Sequence, residues 1–310
     1  MSKTPEKLPT PDEKVAESIT LDGEVFTFVK VREFIPVSIY KGKNSFLKTG
    51  SRDVLEKEFD FQKHLFELGF PVPSMTNMGE VGEIFYFTEE SLGEDSFEDL
   101  FLRDVDERKE IPDEHFRRLV EIIRKYANSQ IKTSAECNNH ERFTQSLLRH
   151  DLINEEIPDV ADKTNEALKK ALNALSIFPV VLTHGDFHAA NIFPKGIIDF
   201  EGYTYAPFGY DLLTNIYAAY IFSSEKSEVK YSFTEEQIRQ YLDEIDEICT
   251  IHNLPKLSGY RDHFIFLRLI WATVRMHQWP KTQALRYARY KRILDEYIKG
   301  SNIEDMLLTS

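Results

Sequence analysis

Cysteine is nearly missing from the sequence: Cys137 and Cys249 are the only two. That excludes a disulfide framework and a Cys-rich metal site, and makes a reducing cytoplasm the expected compartment. Long hydrophobic runs are missing too. No stretch reaches the roughly 18 apolar residues that a membrane span needs, so no membrane association is expected. The opening segment, with Pro5, Pro9 and Pro11 among Lys, Glu and Asp, does not read as a secretory signal. Positive charge is outweighed, since 38 Lys and Arg stand against 52 Asp and Glu for a net charge of −14. Nucleic acid binds through clustered Lys and Arg, so it is not an expected partner. Nothing in the sequence signals an obligate protein partner.

What remains is the composition of an ordinary globular enzyme, with 42% hydrophobic and 29% charged residues. A chain of 310 residues has room for two lobes sharing a cleft. Residues 1–15 are polar and proline-rich and read as a mobile tail. From Ile19 the pattern changes. Glu24 to Phe34, Val37 to Tyr40 and Ser45 to Lys48 are short runs of Val, Phe, Ile and Tyr, with turn residues Gly42 and Asn44 between the later two. Asp53 to Leu68 sets Leu55, Phe59, Leu65 and Phe66 at helical spacing, and Gly69 followed by Pro71 stops that helix. Ile84 to Thr88 reads as a buried strand. The boundary between lobes is expected near Ser91, giving an N-lobe over 16–91 and a C-lobe over 92–310.

The C-lobe reads as mainly helical: Asp113 to Lys132, Glu141 to Leu152, Asp162 to Ser176, Asp211 to Phe222, Thr234 to His252, Arg261 to Gln278 and Thr282 to Lys299. A strand-rich island from Val180 to Asp199 interrupts it. Strands first and helices later make an α+β arrangement, without internal repeats.

That island carries the chemistry. Leu182-Thr-His-Gly-Asp-Phe-His-Ala-Ala-Asn-Ile-Phe193 is followed by Gly196-Ile-Ile-Asp-Phe-Glu-Gly202. Two apolar strands flanking a polar loop form a hairpin that holds Asp186, Asn191 and Asp199 at one end of a sheet. Three oxygen-bearing side chains there suit Mg²⁺, a hard cation that shares its ligands with substrate phosphates. The plainer reading has His184 and Asp186 tying a turn and Asn191 capping a strand. The ordered spacing argues against it. For His188 packing or hydrogen bonding within the loop is the expected role.

His184-x-Asp186-x-x-x-x-Asn191 followed by Ile198-Asp199-Phe200 resembles the catalytic and metal-binding loops of the aminoglycoside phosphotransferase and choline kinase superfamily, small-molecule relatives of protein kinases. The resemblance implies a protein-kinase-like two-lobed fold, with an N-lobe of antiparallel sheet plus one helix and a larger, mainly helical C-lobe. It implies an ATP-dependent, or GTP-dependent, phosphotransferase acting on a small-molecule hydroxyl. Asp186 is then the catalytic carboxylate, Asn191 and Asp199 the Mg²⁺ ligands, and His184 and Asp211 supports of the loop. Lys48 resembles the strand lysine that contacts the α- and β-phosphates, and Glu58 the helix glutamate paired with it. Phe85 to Ser91, which includes Glu89, resembles the hinge that holds adenine through its backbone.

Two departures stand out. The segment Arg32 to Val37, where the family's phosphate-covering loop is expected, has no glycine. A nucleotide-binding pseudokinase with a regulatory role is therefore the alternative reading. Lys41 and Lys43 also compete with Lys48 for the strand-lysine position. A protein kinase is disfavoured, because Phe200 to Asp211 is too short for an activation segment.

The acceptor is expected to be aminoglycoside-like, an amino alcohol or a sugar. Glu235, Glu236, Asp243, Glu244, Asp246 and Glu247 form an acidic helix face, read first as solvated and second as a wall for a cationic acceptor. Phe264, Phe266, Leu267, Ile270, Trp271 and Val274 read as core, and Trp279 as a cleft residue. Glu201 is balanced between facing substrate and facing solvent.

Overall fold

The computed structural model describes residues 16–32, 35–81, 84–135, 148, 151–223, 226–274 and 280–309. The expected tail at 1–15, most of the expected helix from Glu141 and the expected cleft residue Trp279 lie outside them. The chain divides into two compact units, one ending at Glu94 and the other beginning at Asp95. Among the described residues no helix is long and apolar enough to cross a membrane.

In the first unit, alternating apolar and polar residues give antiparallel strands β1 (Ser18–Leu21), β2 (Glu24–Val31), β3 (Ser38–Lys41), β4 (Ser45–Gly50), β5 (Met75–Val81) and β6 (Ile84–Glu90). They form one sheet in the order β1-β2-β3-β4-β6-β5. The swap at the end follows from helix α1 (Arg52–Leu68), which the chain completes between β4 and β5. Gly69, at φ 87°, closes α1 in the left-handed conformation. One face of the helix buries Leu55, which packs with Val37, Phe85 and Phe87. Each such side chain contributes about 1.5–3 kcal/mol. Another cluster, Phe26, Tyr40 and Leu47, packs with Phe28 and Tyr86.

The second unit holds helices α2 (Phe97–Arg108), α3 (Asp113–Lys132), α4 (Asp151–Glu156), α5 (Ala161–Leu175), α6 (Tyr210–Ile216), α7 (Ala218–Ile221), α8 (Glu235–Ile251), α9 (Arg261–Val274), α10 (Pro280–Lys299) and α11 (Ile303–Thr309). Strands β7 (Val180–Thr183), β8 (Ile192–Phe193), β9 (Gly196–Ile197) and β10 (Thr204–Pro207) lie among them. The expected single hairpin across the motif is not what forms. β7 pairs antiparallel with β10, and β8 pairs with β9 as a separate two-residue ladder. The reason is local: the polar loop after Thr183 turns through a short 3₁₀ segment at Ala189–Asn191, so β8 leaves β7 rather than returning along it.

Helix α3 fixes β7 from the side. Gln130 Nε2 donates to the Leu182 carbonyl at 2.9 Å, and Thr133 Oγ1 accepts from the Leu182 N–H at 2.8 Å. Those buried polar atoms satisfy a backbone that the two-stranded ladder alone leaves open. The expected helix from Asp211 to Phe222 breaks at Tyr217 into α6 and α7.

Candidate active site

The site residues fall into two groups, one in each unit. In the first unit β4 buries Lys48, while Lys41 and Lys43 are exposed. Lys48 Nζ donates to Glu58 Oε1 at 2.8 Å and to Glu89 Oε2 at 2.9 Å. Burial alone would lower the Lys48 pKa, but the carboxylates of Glu89 and Glu58 outweigh it and raise it. Glu58 also receives a bidentate pair from Arg32, at 2.7 and 3.0 Å. Burial would raise its pKa; Lys48 and Arg32 together lower it. Glu89 thus presents its side chain to Lys48 and Gln62, while its backbone lies in β6 opposite Phe46.

In the second unit the loop after β7 is held by four buried groups. Gly185 takes φ 82°, a conformation that disfavours any side chain, which accounts for glycine between His184 and Asp186. Asp211, in the first turn of α6, accepts from the His184 N–H at 2.7 Å and from the Tyr126 hydroxyl at 2.5 Å through one oxygen, Oδ2. Burial raises the Asp211 pKa against the lowering effect of His184 and of these hydrogen bonds. Tyr126 stacks on Phe187 with ring centroids 4.4 Å apart.

His184 ties the two halves of the motif together. Nε2 donates to the Ile198 carbonyl at 2.7 Å, and Nδ1 accepts from the Asp186 N–H at 3.3 Å, a tautomer assigned from these partners. Burial lowers the pKa of the ring, which keeps it neutral in that role. The residue before Asp199 and the backbone of Asp186 are therefore joined through one imidazole.

The Asp186 carboxylate is half-exposed, and its Oδ1 accepts from Arg268 Nη2 at 3.2 Å. His188 Nε2 lies 3.6 Å from Oδ2. Burial pushes this carboxyl up, yet His188 and Arg268 more than offset that and hold it well below the usual carboxylate range. Arg268 comes from α9 and is itself buried. Its Nη1 donates to the Gly185 carbonyl at 2.6 Å.

Asn191 Nδ2 donates to the Asp186 carbonyl at 2.9 Å, leaving the amide oxygen as a hard donor. The Ile198 N–H donates to the Asn191 carbonyl at 3.0 Å, which sets Asn191 and Asp199 at the open end of the β8–β9 ladder. Asp199 is exposed and takes φ 67°, strained for a residue other than glycine. An amide oxygen and a carboxylate are the donor types Mg²⁺ takes, and they are too few to hold it without water or phosphate oxygens. Glu201 is exposed on the next turn.

The family model for the phosphotransferase enzyme family matches residues 45–247, well over half of the chain. The chain belongs to that family. No curated protein matches the sequence. Among solved structures, ethanolamine kinase from Plasmodium vivax superposes with a TM-score of 0.55 at 12% identity, covering 89% of this chain and 85% of that one. A glucosamine kinase in complex with glucosamine, ADP and inorganic phosphate gives 0.55 at 14% identity, covering 92% and 84%. An aminoglycoside-3'-phosphotransferase of type VIII gives 0.49 at 15% identity, covering 81% and 94%. This phosphotransferase accordingly has the expected α+β, protein-kinase-like fold.

Sequence reasoning missed Arg268 and Tyr126. Arg268 sits in an apolar run, Phe264 to Trp271, where a lone cation at a core position was the available signal. The acidic face of α8 faces elsewhere. Glu244 and Glu247 pair with Arg124 of α3, and Asp246 accepts from Ser258.

Proposed function

We propose that the protein transfers the γ-phosphoryl group of ATP to a hydroxyl of a small molecule. The observation that carries this reading is the Asp186 carboxylate, kept ionised by Arg268 and His188 while its backbone is anchored by His184.

Asp186 accepts a hydrogen bond from the acceptor hydroxyl and orients its oxygen toward the γ-phosphorus. A carboxylate of such low basicity takes the proton late, after the new O–P bond has begun to acidify the hydroxyl. The bond from the γ-phosphorus to its bridging oxygen breaks, ADP keeps the electron pair, and the proton leaves Asp186 to solvent. Asn191 Oδ1 and the Asp199 carboxylate are the donors for Mg²⁺, which supplies neutralisation of charge on the phosphates. Lys48, held by Glu58 and Glu89, is the cation for the α- and β-phosphates.

The test is ADP formation by the purified protein with ATP or GTP, Mg²⁺ and a panel of amino alcohols, amino sugars and aminoglycosides, run beside Asp186→Asn. Acceptor-dependent turnover that falls about 10²–10⁴-fold in the variant supports the reading. Tight nucleotide binding without transfer to any member of the panel moves the protein to the pseudokinase alternative.

A further inference from the structure

A cavity of about 580 Å³ in the second unit is lined by Asp186 and His188 together with residues of α2, α7, α10 and the segment after α7. That volume falls in the range of small-molecule sites, roughly 300–1,000 Å³. Its charges carry information about what could fill it. Glu98, Asp186 and Glu228 are the carboxylates of the lining, and Lys230 and Arg286 its cations. Arg268, bonded to Asp186, adds a cation behind the lining. The pocket therefore carries charges of both signs, and a polycation drawn by the acids would also meet Lys230 and Arg286.

Two of these charges are left open. Among the described residues neither Glu98 nor Lys230 makes a hydrogen bond or ion pair. Arg286, by contrast, donates to the Phe222 carbonyl. Behind it Arg289 is buried, donating to the carbonyls of Tyr220 and Ser223 at 2.8 and 2.5 Å. Arg289 has its pKa pushed down to about 10, first by burial and then by Arg286 and Arg292 beside it, with Glu228 acting the other way. Glu98 acts on Tyr231, whose hydroxyl burial and that carboxylate both push up. Tyr231 and Phe222 supply aromatic surface to the lining.

Resting on the phosphotransfer reading above, we infer that the acceptor is a small zwitterion: a hydroxylated compound bearing one ammonium and one anionic group. Glu98 with the Tyr231 hydroxyl receives the ammonium, Lys230 receives the anion, and the Phe222 and Tyr231 rings cover the stem between them. A charged partner opposite each open side chain turns two solvated ions into charge-assisted hydrogen bonds inside a partly enclosed cavity. Neither an amino alcohol nor a sugar acid alone satisfies both.

The experiment is calorimetric binding of four compounds on one six-carbon chain to the full-length protein: D-glucitol, 1-amino-1-deoxy-D-glucitol, D-gluconate and 2-amino-2-deoxy-D-gluconate. The last is expected to bind about tenfold more tightly than either singly charged relative. Glu98→Gln removes the advantage given by the amine alone, and Lys230→Gln the advantage given by the carboxylate alone. Affinity that ignores charge across the four, tighter binding of spermidine than of the zwitterion, or no binding by any of them overturns the inference. ADP formation is measured in the same samples. Charge-selective binding without transfer sinks the phosphotransfer reading while leaving the recognition chemistry standing, so the two failures are told apart.

Discussion

Arg268 lies 3.9 Å from the Trp271 ring while its Nη2 donates to Asp186 Oδ1 at 3.2 Å. A single cation from α9 thus binds an aromatic ring through its face and fixes the proposed catalytic carboxylate through its edge. Its other terminal nitrogen holds the Gly185 carbonyl. Planarity makes that triple contact possible, so a lysine cannot reproduce it.

Arg268→Lys is expected to lower kcat about tenfold, and Arg268→Met, which removes the charge, about a hundredfold. The pH dependence fixes the cause. Burial raises the Asp186 carboxyl and His188 and Arg268 lower it further, so in the folded protein it is ionised across the neutral range. Removing Arg268 raises its pKa, and the acid limb of the kcat profile moves to higher pH. A limb that stays in place in Arg268→Met would show that Arg268 acts on packing alone, with circular dichroism checking that the variant is folded.

Glu58 gives a second pH-dependent expectation. Its pKa is lowered below 4.5, burial being outweighed by Lys48 and Arg32. A depressed carboxyl contributes stability above its unfolded pKa and loses it as pH falls through the folded one. With one-fifth of the side chain exposed, Glu58→Gln is expected to cost about 1–3 kcal/mol at pH 7. The cost shrinks as pH falls through the depressed folded value, where the wild-type carboxyl becomes protonated as well. Urea denaturation over a series of acid pH values measures the change, and a cost independent of pH would rule out the ion pairs as its source.

The motif residues were legible because a polar loop between apolar strands is a local pattern, and His184, Asp186, Asn191 and Asp199 lie within it. Lys48 needed more than pattern: it lies in the buried run 47–49 of β4, whereas Lys43 lies before the strand and is exposed. What the sequence concealed is long-range. Arg268 is 82 residues from Asp186 and Tyr126 is 85 from Asp211, so no window of sequence holds both partners. Helix α2 was hidden differently: no element is expected over 97–108, although Ser96 and Asp99 form a capping box visible as Ser-x-x-Asp. The separation of β8 from β7 was hidden in the loop itself, where a short 3₁₀ segment at Ala189–Asn191 turns the chain away from β7.

Asp211 supports the loop by accepting from the His184 N–H and the Tyr126 hydroxyl. Asp211→Ala leaves the His184 N–H without the carboxylate and the Tyr126 hydroxyl without its acceptor, at a cost of about 2–4 kcal/mol. Asp211→Asn keeps an oxygen acceptor and is expected to cost less. Burial raises the Asp211 pKa, so this group favours folding most below 3.8 and that contribution is lost as pH rises through the folded value. The stability difference between wild type and Asp211→Asn therefore narrows from pH 3 to pH 7. A gap that widens over this interval in guanidinium denaturation would contradict burial as the dominant influence on Asp211.

Gly209 sets where Asp211 stands. It precedes α6 at φ 107°, in the region that side chains disfavour. A Cβ there would overlap Leu257 Cδ2 and come to 2.9 Å from Phe264 Cζ, and both neighbours are fully buried and have no room to retreat. Strain from the backbone and overpacking act together, so Gly209→Ala is expected to cost about 2–5 kcal/mol. Any relief by shifting α6 moves Asp211 off the His184 N–H. In the variant that remains folded at low temperature, kcat is expected to fall further than nucleotide affinity. Stability lost without any change in kcat would mean that the loop holds its place without Asp211.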